Sequence, residues 1–276
     1  MTPSPRSFQI QLDIQAPRDA VWQALTEAES IARWFAPTAV CEPRAGGRLL
    51  WQWGQMHTWE QTIEVFAPGA HLRTRYDSVV DDGRGGKQPL FVDFHLEGGR
   101  GVTTLRLVHS GFGPEAAFDA EYDGISGGWP VELRSLRLYL ERHRGCERML
   151  AWSAHSTALA PEVAWQRLTG PGGLAAEGLP RLCEGDRFAL DVPGAGPISG
   201  TTLYAPTSRE FSGVAANLDD GWFRVHCEHW AGKTQVWLWL AVYSGPRSRV
   251  DAYQRAFDSL LRRLPAAGDR VAGAGA

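Results

Sequence analysis

The pattern of apolar and polar positions begins with a period of two. Phe8, Ile10, Leu12 and Ile14 alternate with Gln9, Gln11, Asp13 and Gln15, the mark of a strand with one buried face. Ala16-Pro17 ends the run, and Pro17 suits the first turn of a helix, where its missing N–H costs nothing. Val21, Trp22 and Leu25 then give a helical stripe, and a second short helix is expected over 29–34, before Pro37. Gly46-Gly47 reads as a turn opening a strand through Leu49, Trp51 and Trp53. Further strands are expected over 58–66, 71–79, 89–96 and 102–109, separated by Pro68-Gly69, the polar loop 81–87 and the Gly-rich hairpin 98–101. A Gly-rich stretch, 111–128, leads into a helix whose Trp129, Leu133, Leu136 and Leu140 stand at i, i+4, i+7 and i+11. Residues 1–6, with two prolines, read as a flexible arm. An amphipathic helix after a run of antiparallel strands must bury its stripe on the sheet.

The same order returns in the second half. Trp22-Gln23-Ala24-Leu25-Thr26 is echoed by Trp165-Gln166-Arg167-Leu168-Thr169, and Cys41-Glu42 by Cys183-Glu184. Val65-Phe66-Ala67-Pro68 resembles Leu203-Tyr204-Ala205-Pro206, and Val108-His109-Ser110-Gly111 matches Val242-Tyr243-Ser244-Gly245. The closing stripe reappears as Tyr253, Phe257, Leu260 and Leu264 with the same spacing. The offset between copies falls from 143 to 124 along the chain, so the second copy is the shorter. The expectation is an α+β protein of two tandem domains, 1–145 and a degenerate 146–264, with the first strand of the second copy over 149–159. The small-residue-rich end, 265–276, is expected to be a disordered tail.

A length of 276 residues suits one large or two ordinary domains, and 43% hydrophobic against 21% charged residues supplies enough apolar surface for a core in each. A net charge of −3 gives no electrostatic footprint for nucleic acid, and no nucleic-acid partner is expected. The cysteines at 41, 146, 183 and 227 form neither a zinc ribbon nor a disulfide framework, so neither metal nor other cofactor is expected from them. The N-terminus lacks the apolar core of a signal peptide, and no run approaches a membrane span of ~18 apolar residues. These features lead to the expectation of a cytoplasmic protein with free thiols. Twelve tryptophans add large apolar rings with a polar N–H, suited to bulky cores and to ligand cavities alike.

The first half resembles bacterial relatives of the heat-shock-protein-90 ATPase activator, within the SRPBCC (START-like, helix-grip) superfamily. The resemblance rests on Ala16-Pro17, Val21-Trp22-Gln23-Ala24-Leu25-Thr26, Ile31-Ala32-Arg33-Trp34-Phe35 and Gly46-Gly47-Arg48-Leu49, then Thr103 to Phe112 and Gly127-Gly128-Trp129. The second half keeps the skeleton but has no Gly-Gly-Trp, and Gly172-Gly173-Leu174 stands near where Arg-Trp-Phe would fall. The resemblance implies two helix-grip domains, each an antiparallel sheet wrapped around a long C-terminal helix, with two short helices after the first strand and an apolar cavity between sheet and helix. It implies no single activity: the superfamily holds lipid carriers, hormone receptors, polyketide cyclases and oxygenase subunits. Members that act on the chaperone carry a separate N-terminal domain, to which nothing in this chain corresponds.

The candidate ligand-binding residues are Trp34, Trp51, Trp53, Tyr76, His109 and Trp129. Trp51 and Trp53 share a strand face in an aromatic hairpin with His57 and Trp59, while His109 shares a face with Leu105 and Leu107. Tyr76 follows Leu72 and Thr74 on another inward face, and the match of His109 with Tyr243 places a polar-tipped ring at one position in both copies. Asp93 and His95 alternate against Val92, Phe94 and Leu96, which points the polar pair outward. His226-Cys227-Glu228-His229 splits between two strand faces and does not converge as a metal site. No phosphate loop, nucleophile elbow or HExxH occurs, and no catalytic residue is assigned. The reading is non-enzymatic binding of a small hydrophobic or aromatic ligand in the first domain. The alternatives are a cyclase- or hydratase-type enzyme using His109, Tyr76 or His95 as acid–base groups, and an interaction module with a protein partner or a second copy of the chain.

Overall fold

The alternating segment at the start of the chain forms β1 (Arg6–Ile14), followed by α1 (Arg18–Thr26) and α2 (Ala28–Ile31). β2 (Thr38–Cys41), β3 (Arg48–Trp53), β4 (His57–Ala67), β5 (His71–Asp81), β6 (Lys87–Gly98) and β7 (Thr103–Phe112) come next, and α3 (Asp119–Arg142) closes the unit. The strands make one antiparallel sheet in the order β1-β7-β6-β5-β4-β3-β2. In this computed structural model the described residues are 5–81, 86–99, 101–175, 177–230 and 232–266. The polar loop therefore lies outside them at positions 82–85.

The turn at Gly46-Gly47 is as the sequence indicates. Gly46 has φ +75°, and a side chain on Gly47 would sit 2.1 Å from the Glu42 carbonyl oxygen. The closing stripe is also as expected: Trp129, Leu133, Leu136 and Leu140 are all buried, opposite the inward faces of β6 and β7 at Leu90, Val92, Phe94, Leu105 and Leu107. Each such side chain contributes about 1.5–3 kcal/mol by leaving water.

Three local expectations are corrected, and one strand, β2, has no counterpart in the sequence pattern. Arg6 is not in a flexible arm but opens β1, with its guanidinium 2.7 Å from Asp119 and 5.0 Å from the Tyr122 ring. α2 is only four residues long, and the chain continues as turns through Trp34 and Phe35. The edge strand β2 carries no alternating apolar pattern, and its residues are exposed or half-buried. α3 starts at Asp119, ten residues before Trp129, and takes in Gly124, Gly127, Gly128 and Pro130. Tertiary contacts override the weak propensity there. Buried Glu121 accepts bonds from Ser78 Oγ at 2.5 Å and the Val79 amide at 3.1 Å, tying the first turn to β5. Its charge also opposes the helix dipole favourably.

The chain divides into two compact units, Met1–Gly145 and Cys146–Ala276. The second holds β8 (Met149–Thr157), α4 (Pro161–Thr169), β9 (Arg187–Val192), β10 (Gly196–Thr207), β11 (Glu210–Ala215), β12 (Gly221–Trp230), β13 (Lys233–Val242) and α5 (Arg247–Arg262). Its sheet runs β8-β13-β12-β11-β10-β9, the first sheet's order without a counterpart of β2. Among the described residues a single α-helix follows β8, so the expected pair of short helices is not repeated. Tyr253, Phe257, Leu260 and Leu264 are buried as the stripe requires. Of the expected tail, Ala266 bridges to Thr157, and 267–276 lie outside the described residues.

In each unit the closing helix also covers the backbone of the first, edge strand or its exit. Glu141 of α3 accepts from the Gln15 amide at 2.9 Å, and Gln254 of α5 bonds both the amide and the carbonyl of Trp152 at 2.9 Å. Among the described residues no helix is long and apolar enough to cross a membrane.

Candidate functional site

Period-two alternation sends Trp51 of β3, Trp59 of β4, Tyr76 of β5, Phe94 of β6 and His109 of β7 to the face that α3 covers with Trp129. The rings form one continuous cluster. Trp59 meets Trp51 at 5.1 Å, Tyr76 at 4.9 Å and His109 at 6.2 Å between centroids. Phe35 lies on the turn after α2, stacked on Trp129 at 5.7 Å and 19° and edge-on to Trp51 and Trp53. Trp51, His109 and Trp129 are buried, while Trp53, Trp59 and Tyr76 are half-buried and bring the cluster to the surface.

At its centre is a three-residue polar chain. The Trp129 indole donates to His109 Nδ1 at 3.1 Å, and His109 Nε2 lies 2.9 Å from the Tyr76 hydroxyl. An indole nitrogen can only donate, so Nδ1 must carry the lone pair and neutral His109 must hold its proton on Nε2. Nε2 therefore donates to the Tyr76 oxygen. Burial holds the imidazole's pKa down at about 3, and protonation would in addition break the Trp129 bond. Tyr76 is pushed well above the usual phenol range, first by burial and then by the Glu121 carboxylate. It is a neutral phenol whose oxygen accepts from His109 and whose O–H proton has no acceptor among the described residues. Two further donors are in the same state: the buried indole N–H groups of Trp51 and Trp59 have no partner among the described residues.

Of the six candidate residues, the structure brings together Trp51, Tyr76, His109 and Trp129 in direct ring contact, with Trp53 joined through Phe35. Trp34 joins in the same way, stacked on Phe35 at 5.0 Å and 21°, with its N–H donated to the Ala24 carbonyl at 2.8 Å, which pins the turn after α2 to α1. Trp59, which the sequence places in the aromatic hairpin but not among the six candidates, and Phe35 also belong to the cluster. The signal for Trp59 was its alternation with Gln61 and Ile63, two buried residues of β4. Phe35 gave no periodic signal because it sits in a turn.

Ladder registers locate the same positions in the second sheet. β1 and β8 are both nine residues long, and Ile14 opposite Thr103 corresponds to Thr157 opposite Thr234. His109, opposite Phe8 and Val92, then corresponds to Leu240, opposite Ala151 and Phe223. The match with Tyr243 is corrected: that residue follows the end of β13. Trp51 opposite Trp59 corresponds to Leu190 opposite Ile198, and Tyr76 opposite Leu90 corresponds to Ala215 opposite Gly221. Trp51, Trp59, Tyr76 and His109 thus have aliphatic counterparts, while Trp129 corresponds through the closing stripe to Tyr253, whose hydroxyl donates to the Pro197 carbonyl at 2.8 Å.

Asp93 and His95 point to the outer face, where Asp93 meets His71 at 2.7 Å and Arg73 at 3.0 Å. His226 and Glu228 share one face of β12, 3.5 Å apart, and Cys227 packs in the core on the other.

Residues 15–141 match the family described as Activator of Hsp90 ATPase homolog 1-like protein. Among solved structures the chain is similar to MLL2253 from Mesorhizobium loti, with 23% identity over 50% of this chain and 98% of that one and a TM-score of 0.44. It is similar to the Aha1 dimer from Colwellia psychrerythraea, with 19% identity over 51% and 99% of the two chains and a TM-score of 0.43. DynU16, from the dynemicin biosynthetic locus, has 18% identity over 92% of this chain and 95% of its own, with a TM-score of 0.42. No curated protein matches the chain.

Proposed function

We propose, with the match of residues 15–141 to the family described as Activator of Hsp90 ATPase homolog 1-like protein in support, that the first unit is a non-catalytic receptor for a flat aromatic ligand bearing hydrogen-bond acceptors. The family accommodates ligand binding or an activator-like role, and the choice between them rests on the site. The observation that carries the reading is the donor excess: the Tyr76 O–H and the Trp51 and Trp59 N–H groups stand among stacked rings without acceptors. A buried donor left unpaired costs about 1–3 kcal/mol, which a carbonyl- or ether-bearing ligand would recover. Phe35 is carried by a turn and stacks on Trp129, so it is the ring that a planar ligand would displace.

The acid–base alternative is the weaker one. His109 has its Nδ1 lone pair engaged by Trp129 and is too hard to protonate to act as an acid near neutral pH. Tyr76 holds its proton too firmly to be a base, and His95 lies on the outer face of the sheet.

The test is a titration with flavonoids, aromatic polyketides and fatty acids, following tryptophan fluorescence. Saturable quenching by the aromatic acceptors, weakened about fivefold in Tyr76→Phe, is the expected result, since one hydrogen bond is worth roughly 1 kcal/mol. Absence of any response at millimolar ligand, or equal affinity in the variant, would overturn it.

A further inference from the structure

We propose that His71, Asp93 and His95 form a divalent transition-metal site on the outer face of the first sheet. β5 and β6 pair so that His71 lies directly opposite His95, and Asp93 is two residues before His95 on the same face. The two imidazoles stack at 4.2 Å and 16°, and the three ligand atoms all lie within 4.8 Å of one another. Two imidazoles and a carboxylate are the donor set that zinc, copper and nickel favour.

The surrounding contacts fit such a site better than a closed ion-pair network. Asp93 is nearly buried, and Arg73 bonds its Oδ2 at 3.0 Å, holding the carboxylate with Oδ1 turned to His71 at 2.7 Å. Arg73 is itself held by Glu64 at 3.1 Å and by the Phe91 ring at 4.4 Å. That is an outer-shell arrangement that fixes a ligand's orientation. The charges of Arg73 and of Arg106, the residue opposite His95, oppose a cation, and Glu64 and Asp93 offset them. His95 has no hydrogen-bond partner among the described residues, so the network uses two of the three groups and leaves the third for a ligand. Metal–ligand distances of about 2.0–2.2 Å are reached by side-chain rotation of the half-buried His71 and His95 about a fixed Asp93, with water completing the shell. The ligands stand on paired strands, so their backbone spacing is set before any ion arrives. None of this depends on the aromatic cluster, which lies on the opposite face.

The experiment uses the full chain, cleared with a chelator and with its thiols alkylated, so that exposed Cys146 and Cys183 cannot bind metal. Zn²⁺ is followed by calorimetry and Co²⁺ by its visible absorption. One equivalent per chain is expected, weakened at least about tenfold in His71→Gln and in His95→Gln and lost in the double variant. Paramagnetic broadening by Co²⁺ in the unmodified sequence should centre on residues 71–73 and 93–95, a readout that does not rely on any variant folding. Failure to bind Zn²⁺ at millimolar concentration, binding retained in the double variant, or broadening centred elsewhere would each overturn the site.

Discussion

His109 shows how one buried side chain can be defined by its partners. A histidine on an apolar strand face is ambiguous, because a neutral imidazole can present either nitrogen as donor. The indole of Trp129 removes the ambiguity, and the proton that must then sit on Nε2 fixes Tyr76 as an outward donor. This arrangement has a pH consequence. His109 titrates at about 3 in the folded chain, below the value of about 6.5 for an unfolded histidine. Its contribution to stability is complete above pH about 6.5 and is lost as the pH falls toward about 3, where the unfolded chain takes up a proton that the folded one refuses. Urea denaturation from pH 7 to pH 4 should show a shallower loss of stability in His109→Gln than in the unmodified chain. Identical slopes would mean that His109 takes up its proton as readily in the folded chain as in the unfolded one. The repeated Trp-Gln-x-Leu-Thr motif is explained at this scale too. Thr26 donates to the Trp22 carbonyl and Thr169 to the Trp165 carbonyl, both at 2.8 Å, so the motif closes a helix end in each unit.

Among the elements, α3 carries the largest conflict between local preference and observed form. Its first half contains Gly124, Gly127, Gly128 and Pro130, a composition that disfavours helix, while residues from Val131 onward are good helix formers. Side chains added at Gly127 or Gly128 would meet nothing within 4 Å, so close packing does not require glycine at either place. Gly127→Ala and Gly128→Ala should each raise stability by about 1 kcal/mol in chemical denaturation; a loss of stability would show that the segment must leave the helical form. The same composition predicts faster amide exchange over 119–130 than over 131–142, measurable by hydrogen exchange. The segment carries Trp129 and follows β7, so looseness there acts on one wall of the aromatic cluster.

For the molecule as a whole, the two units share a strand order but not the polar-tipped aromatic cluster. The second sheet puts Leu190, Ile198, Ala215 and Leu240 where the first has Trp51, Trp59, Tyr76 and His109. Its core is closed by Phe188, Phe211, Phe223 and Phe257, with Tyr253 beside them and its hydroxyl engaged by the Pro197 carbonyl. An aromatic ligand should therefore bind with a stoichiometry of one per chain. Calorimetry finding two equivalent sites would contradict the difference drawn from the registers.

The amino-acid sequence by itself determined most of the scaffold. Alternation placed β1 and β3–β7, the spacing of Trp129 to Leu140 and of Tyr253 to Leu264 placed the buried stripes, and the repeated motif announced two units. These features are local, since side-chain period follows from backbone geometry alone. It also gave the outward face of Asp93 and His95. It did not show that His71 stands opposite His95, because strand register is settled by pairing across the sheet. Nor did it give β2, the early start of α3 or the place of Phe35 in the cluster. Those were decided by contacts between residues far apart in the chain, such as Ser78 with Glu121 and Trp129 with His109. The same is true of the correspondence between copies: matching letters paired His109 with Tyr243, whereas hydrogen-bonded ladders pair it with Leu240. A sequence match tolerates a slip of three residues, but a ladder does not, because an odd slip turns every side chain to the opposite face.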